Sequence, residues 1–220
     1  MVVNIVENPI NISLHWYIQF TSYLGYLGLL KKIDVATLGP SGTSSEAAAD
    51  YLLSSVKGND GKCSLFPSYE EAYQNITVGA SNILLVANAY ERIDMFYMSQ
   101  DIQFLFPFVF ETPLYGVAKK PGEELKKDRS LTIATHHAPV SLLPWFLKEM
   151  EIDYEIIYVS STSEAALKLQ KNEVDLCLTT ENAARKCNVE FISPTRPILM
   201  LWSVFIKKSE IPLTFSNIKF

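Results

Sequence analysis

The sequence predicts an α/β protein with mainly parallel sheets. From Ile33 onward, short apolar runs alternate with segments of helical spacing. The runs end in turn or cap residues, as at Gly39-Pro40 and Ser160-Ser161. The composition is that of a globular chain: 220 residues, 48% hydrophobic and 20% charged. Such a chain buries a sizeable core without staples, and its composition excludes a disordered, collagenous or simple coiled-coil protein.

Each element has a local reason. Ile33–Leu38 is apolar and runs into Gly39-Pro40, a strand entering a turn. Glu46–Val56 carries helical spacing. Asn82–Ala87 reads as a buried strand, and Phe104–Phe110 and Leu114–Ala118 as two more, separated by Thr112-Pro113. After a polar loop at Pro121–Arg129, the pattern predicts strand Leu131–Thr135, helix Val140–Met150, strand Glu155–Val159, helix Glu164–Gln170, strand Val174–Leu178 and helix Asn182–Cys187. Ile198–Ile206 reads as a last strand, followed by a tail.

Residues 12–30 lack Asp, Glu, Lys and Arg. His15, Gln19, Thr21 and Ser22 interrupt the stretch, and neither a basic n-region nor an A-x-A cleavage site accompanies it. It is expected to be an appended helix packed on the domain or on a partner subunit; a membrane span is disfavoured. The net charge of -5 disfavours a nucleic-acid partner. A small anion must then be held by local donors. The three cysteines form no C-x-x-C pair and suit small buried thiols in a reducing cytoplasm. Adjacent His136 and His137 lack the i, i+4 spacing of a helical zinc site, so no metal is expected.

Two helix starts look alike. Thr43 stands three residues before Glu46, and Ser161 three before Glu164; both are capping boxes followed by alanines. A helix N-terminus offers unpaired N–H groups and about half a positive charge, an anion seat that hydroxyl side chains extend. Capping alone explains one such motif. Two of them after strands of an α/β pattern, with polar junctions also at Thr135-His136-His137 and Thr179-Thr180-Glu181, point to one cleft at the carboxyl ends of the strands. The glycine turn is neither a P-loop nor G-x-G-x-x-G, and no G-x-S-x-G elbow is present.

Thr37-Leu38-Gly39-Pro40-Ser41-Gly42-Thr43-Ser44-Ser45-Glu46 resembles the opening motif of prephenate dehydratase domains, and Ser161-Thr162-Ser163-Glu164-Ala165-Ala166 a later one. With Ala89-Tyr90, Phe96-Tyr97-Met98, Thr112–Ala118 and Trp202-Ser203-Val204-Phe205, the ordered set is most similar, within the prephenate dehydratase-like superfamily, to the prephenate decarboxylases of the bacilysin and aeruginosin type. The likeness spans about Ile33 to Lys208. It implies a two-lobed fold like periplasmic binding proteins of type II: lobe 1 at 33–112 plus 188–208, lobe 2 at 113–187, an N-terminal extension at 1–32 and a tail at 209–220. No regulatory ACT domain is expected after residue 208. The dehydratases' Thr-Arg-Phe motif is replaced in the last strand by Leu201-Trp202-Ser203-Val204; Thr195-Arg196 lies earlier and is followed by Pro197.

The resemblance implies a cytoplasmic lyase acting on prephenate, a small molecule with two carboxylates, a cyclohexadiene and a ring hydroxyl. A dehydratase expels carbon dioxide and the hydroxyl together and forms phenylpyruvate, which needs acid assistance at the hydroxyl. A decarboxylase retains the hydroxyl and yields a non-aromatic dihydro-4-hydroxyphenylpyruvate for a non-proteinogenic amino acid or peptide antibiotic. No cofactor is expected, because the diene accepts the electrons. A dehydratase and a non-catalytic two-lobed binding module are the alternatives. The expected substrate contacts are Thr43, Ser44 and Ser45 on one carboxylate, and Ser161, Thr162 and Ser163, with Thr180, from the other lobe. Asn88 and Tyr90 are placed near the ring hydroxyl, Tyr97 and Trp202 as ring walls. His136 is the first candidate acid or orienting donor and Glu181 the second. A homodimer is a possible assembly.

Overall fold

The computed structural model describes residues 24–211 apart from 31, 57, 59, 126 and 127. Among these residues the chain forms two five-stranded sheets. The first has the order β2-β1-β3-β10-β4, built from β1 (Val35–Leu38), β2 (Cys63–Phe66), β3 (Ile83–Ala87), β4 (Ile102–Glu111) and β10 (Leu199–Lys207). Strands β1, β2 and β3 are parallel, and β10 runs antiparallel between β3 and β4. The second has the order β7-β6-β8-β5-β9, built from β5 (Tyr115–Lys119), β6 (Leu131–Thr135), β7 (Tyr154–Tyr158), β8 (Leu176–Thr180) and β9 (Glu190–Phe191). Here β6, β7 and β8 are parallel and β5 is antiparallel to its neighbours.

Helices cover both faces of each sheet, as nearly continuous apolar strands require. On the first sheet, α1 (Ser44–Ser55) packs Ala48, Ala49 and Leu52 against Val35, Leu85, Phe108 and Trp202. The opposite face takes α2 (Tyr69–Thr77) and α3 (Asp94–Tyr97), with Ala72, Ile76 and Phe96 against Leu84, Val86 and Phe205. On the second sheet, α5 (Thr162–Gln170) and α6 (Glu181–Cys187) share a core of small residues with Ala118, Ala134 and Cys177. The other face takes α4 (Leu143–Phe146) against Val117, Ile133 and Leu178.

The expected pattern needs correction. β2, α2, α3 and β9 had no counterpart in the pattern. β2 is half-buried throughout, so burial does not alternate along it. α2 did carry a signal: Ser68 caps it with Glu71 three residues on. The helix expected over 140–150 is instead a 3₁₀ turn at Val140–Leu142 followed by the short α4. Pro144 has no N–H to bond the Val140 carbonyl, so the two turns do not join into one ladder.

The lobe boundary also moves. β9 pairs with β5, and Arg196 bridges to Tyr115, so residues 188–196 go with the second sheet, not the first. The chain therefore passes between sheets at Thr112–Leu114 and again near Pro197-Ile198. The two crossings lie side by side: the Thr112 N–H donates to the Ile198 carbonyl (3.0 Å), and the Ile198 N–H to Thr112 Oγ1 (2.9 Å).

Of the apolar N-terminal segment, residues 24–27 are helical, and Tyr26 and Leu27 are buried against Ile33 and Val56. Its residues 1–23, and 212–220 of the expected tail, lie outside the described residues. Among the described residues no helix is long and apolar enough to cross a membrane.

Candidate active site

β1 delivers the chain to the cleft between the sheets. After Leu38, the turn at Gly39–Gly42 leads into α1. Thr43 Oγ1 accepts from the Glu46 N–H (3.3 Å) and donates to the Leu38 carbonyl (3.1 Å). The Glu46 carboxylate closes the box by accepting from the Gly42 N–H (2.6 Å) and the Ser41 hydroxyl (2.5 Å). Burial opposes the charge on Glu46, but these donors and Lys186 outweigh it and hold the carboxyl below its usual range.

α5 starts the same way in the second lobe. Ser161 Oγ accepts from the Glu164 N–H (3.0 Å), and Glu164 accepts from the Ser160 N–H (2.8 Å) and hydroxyl (2.5 Å). Both helix starts open on one cleft of about 360 Å³. Thr43, Ser44, Ser45, Ser160, Ser161 and Thr162 line it, with Leu38, Ile198, Met200 and Trp202 as an apolar wall. None of its lining residues is Lys or Arg, and Glu70 is its one carboxylate, so an anion held at the helix starts would meet hydroxyls and helix-end amides.

Two buried tyrosines tie these hydroxyls together. Tyr69, at the start of α2, pairs with Ser45 Oγ (3.0 Å) and accepts from the Ala87 N–H (3.2 Å). Tyr115, at the start of β5, pairs across the cleft with Ser44 Oγ of the first lobe (2.7 Å) and hydrogen-bonds Thr162 of its own lobe. Burial pushes both phenols above their usual range, so both remain protonated. Neither was anticipated. Tyr69 follows the overlooked cap at Ser68, and Tyr115 lies within the Thr112–Ala118 stretch that carried resemblance but no assigned role.

Tyr90 also lines the cleft, its hydroxyl donating to Glu70 Oε1 (2.6 Å), which Arg92 binds at 2.8 Å. Burial, then the Glu70 hydrogen bond, raises its phenol well above the usual range. His136 lines the cleft at the end of β6. Burial, with the adjacent His137 contributing, lowers it to about 4, so at neutral pH it is uncharged. Its Nδ1 accepts from the Ala138 N–H (3.3 Å), which leaves the ring proton on Nε2. His136 thus presents an Nε2–H donor and not an imidazolium.

The structure places Glu181, Thr180, Ser163, Asn88 and Tyr97 off the cleft wall. Glu181 accepts from the Leu114 N–H (3.3 Å) and pairs with Arg185 (2.6 Å), securing α6 to the first crossing. Thr180 donates to the Gly42 carbonyl (2.7 Å) and caps α6. Ser163 is buried next to Gly42, its hydroxyl without a partner. Asn88 accepts from Ser203 Oγ (2.9 Å), which also pairs with Tyr97 (2.8 Å); strand alternation puts Ser203 on the opposite face of β10 from Trp202. Trp202 lines the cleft and is at the same time fully buried in the first core. A larger depression, about 690 Å³, lies on the second lobe. Glu123, Glu124, Asp128 and Asp175 line it, and its cations already pair with carboxylates, which suits no anionic acid.

No protein-family model matches the chain. Two curated proteins named prephenate decarboxylase are similar to it. That of Planktothrix agardhii is 36% identical over 186 residues, covering 83% of this chain and 92% of the relative. That of Bacillus subtilis strain 168 is 36% identical over 184 residues, covering 81% and 89%. Among solved structures, the prephenate dehydratase of Arthrobacter aurescens in complex with L-Phe superposes with a TM-score of 0.63 at 16% identity, over 80% of this chain and 60% of that one, which shows a shared fold. With sequence likeness along most of its length and a two-lobed fold around a hydroxyl-lined cleft, the chain belongs to the prephenate decarboxylase family.

Proposed function

We propose that the protein decarboxylates prephenate without aromatising it, as a carbon–carbon lyase in the biosynthesis of a non-proteinogenic amino acid or peptide antibiotic of the bacilysin or aeruginosin type. The observation that carries this is the make-up of the cleft. Hydroxyl-rich helix starts face it from both lobes, while β10 and the residue before it contribute only Ile198, Met200 and Trp202. The hydroxyls and amides grip carboxylate, and the apolar wall leaves the ring carboxylate poorly solvated, which favours its loss as carbon dioxide. β10 brings no acidic side chain to the ring hydroxyl: its one donor at the cleft is the unpartnered Trp202 indole N–H, which does not give up its proton, and the Arg196 guanidinium stacks over Trp145 (5.8 Å).

In the reaction the bond to the ring carboxyl carbon breaks and its electron pair enters the diene. A ring carbon gains a proton, and the hydroxyl stays. Because His136 is uncharged, that proton comes from a hydroxyl or water in the cleft. Thr43, Ser44, Ser45, Ser161 and Thr162 hold the carboxylates, and the His136 Nε2–H orients the substrate. The three cysteines are free thiols, which suits the cytoplasm. Incubation with prephenate, followed by carbon dioxide release and proton NMR of the product, tests the reading. Non-aromatic ring signals are expected; phenylpyruvate as sole product, or binding without turnover, overturns it.

A further inference from the structure

A decarboxylase of prephenate has a second problem besides losing carbon dioxide. Losing the ring hydroxyl at the same time yields an aromatic ring, so the site must withhold acid from that oxygen. Donors near it are dangerous, and three phenols line the cleft: Tyr69 and Tyr115, paired with Ser45 and Ser44, and Tyr90. Tyr90 lines it, its ring packed on Tyr69 with centroids 4.9 Å apart. Since Tyr69 reaches Ser45 at the helix start, Tyr90 stands one ring further from the carboxylate seat. In prephenate both carboxylate-bearing groups leave one ring carbon and the hydroxyl leaves the carbon opposite, so a ring anchored at the seat directs its hydroxyl away from it.

The Tyr90 proton, however, is already committed. A phenol has one proton to donate and two lone pairs to accept with. That proton goes to Glu70 Oε1 at 2.6 Å, a short bond, and Arg92 at 2.8 Å holds the Glu70 carboxyl group in place. We propose that Glu70 is a specificity-determining positioning residue: by holding the Tyr90 proton it leaves Tyr90 able only to accept from the substrate hydroxyl, which blocks water loss and keeps the product non-aromatic. The raised phenol keeps its proton throughout.

Releasing that proton restores the other outcome. With Glu70 removed, Tyr90 can donate to the leaving oxygen. The carbon–oxygen bond then breaks as the carboxyl is lost, the electron pair of the broken carbon–carbon bond completes the aromatic ring, and the hydroxyl departs as water. The phenolate regains its proton from solvent.

This inference rests on the reading of the protein as a prephenate decarboxylase, and the experiment separates the two. Wild type, E70A, E70Q, Y90F and E70A/Y90F are incubated with prephenate at mildly alkaline pH. The spontaneous rate is subtracted, and phenylpyruvate and the non-aromatic product are quantified by NMR. E70A is expected to raise the ratio of phenylpyruvate to non-aromatic product by about tenfold or more, a part of the roughly hundredfold or greater effect that full acid assistance supplies. E70Q, with a neutral and weaker acceptor, is expected to raise it less, and E70A/Y90F to return it to the Y90F value. An unchanged ratio in E70A, or a rise that persists in the double variant, overturns the inference. If E70A does not fold, E70Q decides on the same criterion. A merely structural role for Glu70 lowers both products together and leaves the ratio unmoved. Wild type that makes phenylpyruvate or leaves prephenate untouched overturns the underlying reading and the inference with it.

Discussion

The helix starts at Thr43 and Ser161 are near copies in sequence and differ in what surrounds them. At α5, Glu164 closes its box on Ser160 alone, within its own lobe. At α1, Glu46 closes on Ser41 and Gly42 and also receives Lys186 from α6 of the other lobe. Lys186 bonds Ser41 as well. The Gly42 carbonyl accepts from Thr180, and a Cβ on Gly42 would lie 3.1 Å from Ala183 Cα. The same local motif thus serves as a simple cap in one lobe and as the contact between lobes in the other. A capping box specifies a helix start; what its spare hydroxyls and turn do is set by the partner that folding brings to them.

The contrast can be broken most forcefully at Gly42. Its φ of +98° and the closeness of Ala183 and Ser163 leave no room for a side chain. Gly42→Ala is expected to cost more than about 2 kcal/mol in chemical denaturation, from backbone strain and forced separation of the lobes. An equal substitution effect at the α5 box would show that the two starts are equivalent after all.

Tyr115→Phe comes next, because that hydroxyl joins Ser44 to Thr162 across the cleft. KM for prephenate is expected to rise by about tenfold as the two seats lose their common partner. Steady-state kinetics check this, and an unchanged KM separates the seats functionally.

His136 sharpens the comparison from the second lobe. Its value of about 4 lies below the ordinary one of about 6.5, so the unfolded chain binds the extra proton first. Its contribution to stability is complete above about pH 6.5 and is lost as the pH falls toward about 4. His136→Gln is expected to flatten that part of a pH-stability curve, and wild-type turnover to show no imidazolium inflection near neutrality. The smallest effect is expected at Ser163→Ala. Removing a buried hydroxyl that has no partner changes stability by less than about 1 kcal/mol, or raises it, as thermal melting would show.

The sheet-forming strands and the two seats were legible in the sequence because each rests on a short-range signal: an apolar run, a turn residue, a cap and its Glu. Ser44, Ser45, Ser161, Thr162 and the cleft-lining His136 belong to that group. Tyr69 and Tyr115 were not legible, since a tyrosine's spacing does not reveal that its hydroxyl will meet a serine many residues away. The misplacement of Asn88 and Tyr97 has a related cause. A one-residue alternation on β10 turns Ser203, their common partner, away from Trp202. Glu181 sits at a helix start as expected, but the chain it faces there is the first crossing and not the cleft.

That doubled passage between the sheets has a mechanical consequence. Two neighbouring strands stitched at Thr112 and Ile198 form a strap, and a strap bends across its flat face far more readily than it twists or stretches. Such a strap favours a swing of the halves about one axis, like a door on paired pins, and cleavage of either pass alone would leave the other tethering the halves.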